Sequence, residues 1–270
     1  MDDRPIGMFD SGFGGLTVAR ALIDLLPDED LVYFGDTGRY PYGPRPLDEV
    51  REFARRITRL LVDVHNVKMV VVACNTAAAA ALEALRFDTD VPVVGVIDPG
   101  ARAAVRVTRN GRVGVIGTVG TIASGAYQRA VRATRAPVTL TCASCPGFVE
   151  LVERGETATD GAHVLAERLL APLQAAAVDT LLLGCTHYPF LARTIGDVMG
   201  RDVVLVSSAD ETAFEVRSIL DETGLGRRSG AGGDKGRHVF ISSGDVGWFR
   251  DLGSRLLGPE LDAVEAWAWA

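Results

Sequence analysis

Residues 6–17 read Ile-Gly-Met-Phe-Asp-Ser-Gly-Phe-Gly-Gly-Leu-Thr, and residues 113–124 read Val-Gly-Val-Ile-Gly-Thr-Val-Gly-Thr-Ile-Ala-Ser. Each is an apolar strand, then a sharp turn of glycine and hydroxyl residues, then the start of a helix. The two stretches lie 107 positions apart, Ile6 matching Val113. A second pair, Val70-Val-Val-Ala-Cys-Asn-Thr76 and Leu181-Leu-Leu-Gly-Cys-Thr-His187, repeats the pattern 111 positions apart. Two landmarks in the same order at nearly the same spacing predict a duplicated α/β unit.

The rest of the chain extends that rhythm. Short apolar strands are predicted at Pro5–Phe9, Leu31–Phe34, Met69–Ala73 and Val91–Val96, with helical stretches over about 14–26, 47–65 and 76–86. The alternation resumes at Arg112–Ile116, Val138–Thr141, Thr180–Leu183 and Asp202–Val206, with helices near 120–133, 158–177 and 188–199. A last strand at His238–Ser242 precedes a short helix. Buried strands alternating with amphipathic helices mean mostly parallel sheets flanked by helices. The expectation is an α/β protein of two pseudo-symmetric domains with the active site in the cleft between them. Residues 1–97, completed by 209–270, form the first domain, and 98–208 form the second. The Gly-rich segment 225–237 reads as a mobile loop. The apolar ending Val264-Glu-Ala-Trp-Ala-Trp-Ala270 either packs on its own domain or covers a partner.

Composition narrows the function classes. With 270 residues, 47% hydrophobic and 23% charged, the chain is neither disordered nor fibrous. A net charge of −7 removes the basic footprint of a dedicated nucleic-acid binder, so no direct nucleic-acid partner is expected. The opening Met1-Asp-Asp-Arg-Pro5 is unlike an export signal, and no uncharged run approaches the ~20 apolar residues of a membrane span. A cytoplasmic protein is expected, with its four cysteines as free thiols.

In open α/β sheets ligands bind at the carboxyl ends of the strands. Asp10-Ser11, Cys74-Asn75-Thr76, Thr118 and Cys185-Thr186-His187 all fall at such ends. Two facing halves would present one cysteine from each side of a ligand, as a reaction requires that removes a proton from one face of a carbon and returns it to the other. A thiol of ordinary pKa near 8.5 is suited to either role. Cys142 and Cys145 form a C-x-x-C with no second pair or His pair to complete a zinc site, and are read as packing residues. No metal site is expected.

The segments Gly7–Gly15, Gly35-Asp36-Thr37, Pro41-Tyr42-Gly43, Ala73–Ala77, Gly117–Thr121, Cys145-Pro146 and Gly184–Pro189 resemble the glutamate racemases, a branch of the cofactor-independent aspartate/glutamate racemase superfamily. The resemblance runs from about residue 5 to about residue 220. It implies Cys74 as the acid/base acting on D-glutamate and Cys185 as the one acting on L-glutamate. Asp10 is implied to assist Cys74, and His187 and Glu153 to assist Cys185. Gly147 departs from the bulkier residue common in the segment that carries Glu153. Asp36 is implied to lie near the site.

Glutamate needs donors for two carboxylates and acceptors for an ammonium. Ser11, Asn75, Thr76, Thr118, Thr121 and Thr186 offer hydroxyls and an amide beside helix starts that attract anions, and Tyr42 and Gly43 are read as holding the distal carboxylate. A pyridoxal cofactor would need a Schiff-base lysine. The two lysines are Lys68, at the amino-terminal side of a buried strand, and Lys235, in the Gly-rich segment, so no cofactor is expected. The implied role is D-glutamate supply for peptidoglycan, with homodimerisation. Aspartate racemisation, isomerisation or decarboxylation of related acids on the same scaffold, and an added protein contact such as DNA gyrase inhibition, remain open on the sequence alone.

Overall fold

A computed structural model describes residues 1–227, 235–261 and 263–269. The chain divides into two compact units, Met1–Val96 with Ala209–Ala270, and Ile97–Ser208.

The first unit begins with β1 (Ile6–Asp10), α1 (Leu16–Leu25), β2 (Leu31–Gly35), α2 (Leu47–Arg59), β3 (Met69–Val72), α3 (Asn75–Asp88) and β4 (Val93–Gly95). The second contains α4 (Ile97–Val107), β5 (Arg112–Gly117), α5 (Val119–Ala123), α6 (Ala126–Ala133), β6 (Thr139–Ser144), α7 (Phe148–Glu153), α8 (Asp160–Ala175), β7 (Thr180–Gly184), α9 (Ala192–Met199) and β8 (Val204–Ser207). The chain then returns to the first unit with α10 (Ala209–Thr223), β9 (His238–Ser242), α11 (Val246–Leu257) and β10 (Val264–Ala266).

The six-stranded sheet has the order β10-β9-β2-β1-β3-β4 and the four-stranded sheet β6-β5-β7-β8, every ladder being parallel. The duplication is visible in the register. Ile6 pairs with Met69 and Val113 with Thr180, so the offsets of 107 and 111 that align the sequences also align the ladders residue for residue. The order β2-β1-β3-β4 recurs as β6-β5-β7-β8, and β9 and β10 extend the first sheet. β1, β2 and β3 are buried along their whole length, the consequence of helices on both faces of a parallel sheet.

Several elements depart from the expected pattern for local reasons. The helix expected at 120–133 is two, because Gly125 adopts φ 69 between α5 and α6. The stretch expected as one helix over 188–199 opens with a 3₁₀ turn at Tyr188–Leu191 before α9. α4, which carries Pro99 and Gly100, was not among the expected helices. Pro99 stands in the first turn, where its missing N–H costs nothing. A Cβ on Gly100 would lie 2.9 Å from Ser208 Cβ and 3.2 Å from Leu182, so glycine lets α4 approach β7 closely. α10, which packs on α1, was also not expected. Residues 228–234 of the segment expected as a mobile loop lie outside the described residues. Its flanks are tied down: Arg227 N donates to Glu29 Oε1 and Arg237 N to Asp30 Oδ1. The apolar ending packs on its own unit through β10, whose pairing continues as Trp267 N donates to Ser242 O at 2.9 Å. Among the described residues no helix is long and apolar enough to cross a membrane.

Lys68 is wholly buried just before β3, at the opposite end of that strand from Cys74. Its ammonium lies 2.5 Å from Glu29 Oε2 and 2.8 Å from the Asp2 carbonyl. A buried ion pair is weak evidence for stability, but removing one partner strands the other. Lys68→Met is therefore expected to lower unfolding free energy by about 3–5 kcal/mol in urea titration, and Lys68→Met with Glu29→Gln to recover most of it. A single variant as stable as the double one would contradict this role.

Candidate active site

In the first unit the polar side chains gather where β1, β2 and β3 end. Asp10, the last residue of β1, is fully buried and accepts from Gly12 N at 3.1 Å. The turn that follows has no room for a side chain at Gly15, where a Cβ would fall 2.6 Å from Asp10 Cβ and 2.7 Å from Tyr33 Oη. Cys74 follows β3 and is the N-cap of α3, its sulfur accepting from Ala77 N at 3.5 Å. The Cys74 thiol donates toward Ser11 Oγ at 3.8 Å. Burial, and next the charge of Asp10, push this thiol up to about 12, against the lowering effect of the Ala77 and Ser11 contacts. Asn75 and Thr76 open α3 and are buried.

Asp36 follows β2 and is also fully buried. The Tyr42 hydroxyl donates to its Oδ2, which Arg39 Nε faces as an ion pair at 2.8 Å, while Ser243 Oγ at 2.6 Å and Trp269 Nε1 at 2.9 Å donate to Oδ1. Both oxygens are thus committed to protein donors. The Tyr42 phenol gives its proton to this carboxylate, which fixes the side chain of that turn. Arg39, Ser243 and Trp269 were not singled out in the sequence. The latter two stand more than 200 residues from Asp36, with no local signal linking them.

In the second unit Cys185, Thr186 and His187 follow β7. Gly184, the last residue of that strand, excludes a side chain because a Cβ would lie 2.5 Å from Ile116 O and 2.8 Å from the Tyr127 ring. Cys185 Sγ lies 3.9 Å from His187 Nδ1, and Thr186 Oγ1 lies 3.5 Å from the same nitrogen. On the far side of the ring, His187 Nε2 is 4.0 Å from Glu153 Oε1, at the end of α7. Burial lowers His187 to about 4, so the imidazole is neutral at pH 7. Thr118 is the N-cap of α5, its hydroxyl 2.9 Å from that of Thr121 and accepting from Thr121 N at 3.2 Å.

Cys142 and Cys145 are free thiols pushed up by burial to about 11 and about 12. Cys145 lies under Tyr188, whose hydroxyl donates to the Cys145 carbonyl. Among the described residues no three His, Cys, Asp or Glu side chains group as metal ligands.

Residues 16–215 match the Asp/Glu/Hydantoin racemase family. The chain is 54% identical to a glutamate racemase of Mycobacterium leprae over 261 residues, covering 97% of this chain and 94% of that one. A crystal structure of a glutamate racemase isoform from Bacillus anthracis superposes with a TM-score of 0.91 at 41% identity, covering 100% and 98% of the two chains. A glutamate racemase from Francisella tularensis, solved in complex with D-glutamate, superposes with a TM-score of 0.90 at 31% identity, covering 99% and 98%.

The His187 shift has a defined sign in stability. Its folded pKa of about 4 lies below the ordinary 6.5, so the unfolded chain binds the extra proton between those values. The contribution is present above pH 6.5 and is lost as pH falls toward 4. The drop amounts to on the order of 1–3 kcal/mol. Urea titrations across this range should show His187→Gln losing less stability on acidification than the parent. Parallel pH profiles would refute a buried neutral imidazole.

Proposed function

The chain belongs to the Asp/Glu/Hydantoin racemase family, and on that premise we propose that it interconverts L- and D-glutamate with Cys74 and Cys185 as its two acid/base groups. The observation that carries the assignment of residues is the shared register: a cysteine follows β3 and a cysteine follows β7 at equivalent places in the two duplicated ladders, each beside its own ionisable partner.

The chemistry balances in two proton transfers. From D-glutamate, the Cys74 thiolate takes the α-hydrogen as a proton, and the Cys185 thiol gives its proton to the opposite face, leaving L-glutamate, a Cys74 thiol and a Cys185 thiolate. The reverse reaction exchanges the roles. Asp10 is the partner that takes up and returns the Cys74 proton. His187, neutral and backed by Glu153, does the same for Cys185. Ser11, Asn75, Thr76, Thr118, Thr121 and Thr186 supply donors to the α-carboxylate and polar contacts around the ammonium. The main chain of Tyr42 and Gly43 receives the distal carboxylate. The α-hydrogen is a weak acid, and positioning in a water-poor site supplies what an electron sink would otherwise provide.

This reading places the enzyme in the cytoplasm, supplying D-glutamate to peptidoglycan synthesis. Homodimerisation and contact with DNA gyrase stand on the resemblance alone; analytical ultracentrifugation and a gyrase pull-down decide them.

Cys74→Ala and Cys185→Ala are each expected to reduce racemisation by roughly 10²–10⁴-fold or more. In deuterium oxide, Cys185→Ala should still exchange the α-hydrogen of D-glutamate and Cys74→Ala that of L-glutamate, each with the opposite enantiomer silent. Either variant racemising at the parental turnover would sink the two-thiol mechanism. Aspartate is one methylene shorter and cannot span the same two carboxylate sites. Its kcat/KM should therefore fall at least roughly tenfold below that of glutamate, and equal values would refute the assignment of Tyr42 and Gly43.

A further inference from the structure

Asp36 has an unusual environment for a residue near a substrate site. Its carboxylate is fully buried, and the three donors and one ion-pair partner around it come from two distant parts of the sequence: Tyr42 and the paired Arg39 nearby, Ser243 and Trp269 from beyond residue 240. Trp269 is delivered by the segment after β10, which is fixed to β9 by parallel pairing and by the Trp267 N–H bond to Ser242. The indole packs against Phe34 with ring centroids 5.4 Å apart. The Arg39 guanidinium lies 4.0 Å from the Trp269 ring centroid and 4.3 Å from that of Phe53. One side chain therefore both donates to Asp36 and stacks on the arginine that neutralises it.

We infer that Trp269 is a positioning residue for glutamate. Its N–H holds Asp36 Oδ1, the other oxygen of Asp36 holds the Tyr42 hydroxyl, and that phenol fixes the turn whose main chain receives the distal carboxylate. The inference rests on the assignment of Tyr42 and Gly43 made above and adds the element that holds them. Without the indole donor, Oδ1 keeps Ser243 as its donor among the described residues, and the carboxylate is free to rotate away from the geometry that orients Tyr42. Hydrogen bonds to charged, buried acceptors are the strong ones, so one such loss is large enough to read in substrate affinity.

Trp269→Phe keeps an aromatic ring beside Arg39 and removes the N–H donor along with part of the ring surface. Ser243→Ala removes the other donor to the same oxygen, and with it the acceptor of Gly38 N, without touching β10. Each is expected to raise KM for both glutamate enantiomers roughly five- to twenty-fold with kcat within about twofold of the parent. Because both residues are argued to work through Tyr42, adding Trp269→Phe to Tyr42→Phe should raise KM by less than roughly twofold further. KM unchanged in both folded single variants, KM effects that multiply in the double variant, or an equal fall in kcat accompanied by melting would each overturn the inference. Parental turnover in Cys74→Ala would instead bring down the two-thiol reading while leaving these KM measurements to stand by themselves.

Discussion

In both units the central strand is hydrogen-bonded along both edges and covered on both faces, and a polar side chain placed along it would be desolvated with nothing to pair with. β1 is flanked by β2 and β3, β5 by β6 and β7, and their inner residues are apolar throughout. The carboxyl end is the first place where the chain leaves the ladder and a functional group can stand beside turn and helix-start N–H groups. Asp10, Cys74 and Cys185 occupy that place. The glycines at 15 and 184 follow from the same crowding, since a single methyl at either would collide with the groups it adjoins.

Duplication supplies two such ends, and divergence makes them chemically different. By the register offsets, Ser11 corresponds to Thr118, Cys74 to Cys185, Asp10 to Gly117 and Thr76 to His187. Hydroxyl and thiol are kept in both units. The ionisable partner is not: one unit draws it from the end of β1, the other from two residues past its cysteine, with Glu153 behind it. A carboxylate raises the neighbouring thiol by its charge, whereas a neutral imidazole adds none. On the proposed reading the two thiols meet the same substrate carbon beside different ionisable partners, although the fold that holds them is repeated.

Much of this was legible because it is local. The strand-turn-helix grammar around residues 6–17 and 113–124 carries the fold, and the Cys-Asn-Thr and Cys-Thr-His tripeptides carry the thiols and their immediate neighbours. What was missed is of two kinds. α4 was not assigned, and its first turn holds Pro99 and Gly100, residues of low helix propensity that a helix accepts here because Gly100 lies close against Ser208 and Leu182. The surroundings of Asp36 hid for a different reason. Its partners Ser243 and Trp269 reach it through the pairing of β9 and β10, and no spacing rule along the chain encodes a contact made by sheet order. The indoles of the apolar ending could be weighed as packing or as a covering for a partner until that pairing fixed one of them on Asp36.

A thiol pushed up to about 12 is a poor base at neutral pH, and this bears directly on how the proposed reaction begins. Burial and the Asp10 carboxylate both favour the protonated sulfur, while the Ala77 N–H and the Ser11 contacts favour the thiolate, so the sulfur is already surrounded by groups suited to its charged form. An amino-acid substrate brings a positive charge as its α-ammonium. Placed near Asp10, that cation offsets the carboxylate's effect on the sulfur and moves the thiol toward the range in which it can exchange a proton. On the proposed reading, proton abstraction by Cys74 is favoured by a substrate that carries an ammonium, and the buried pair Asp10 and Cys74 contributes to selectivity for amino acids together with the shape of the site.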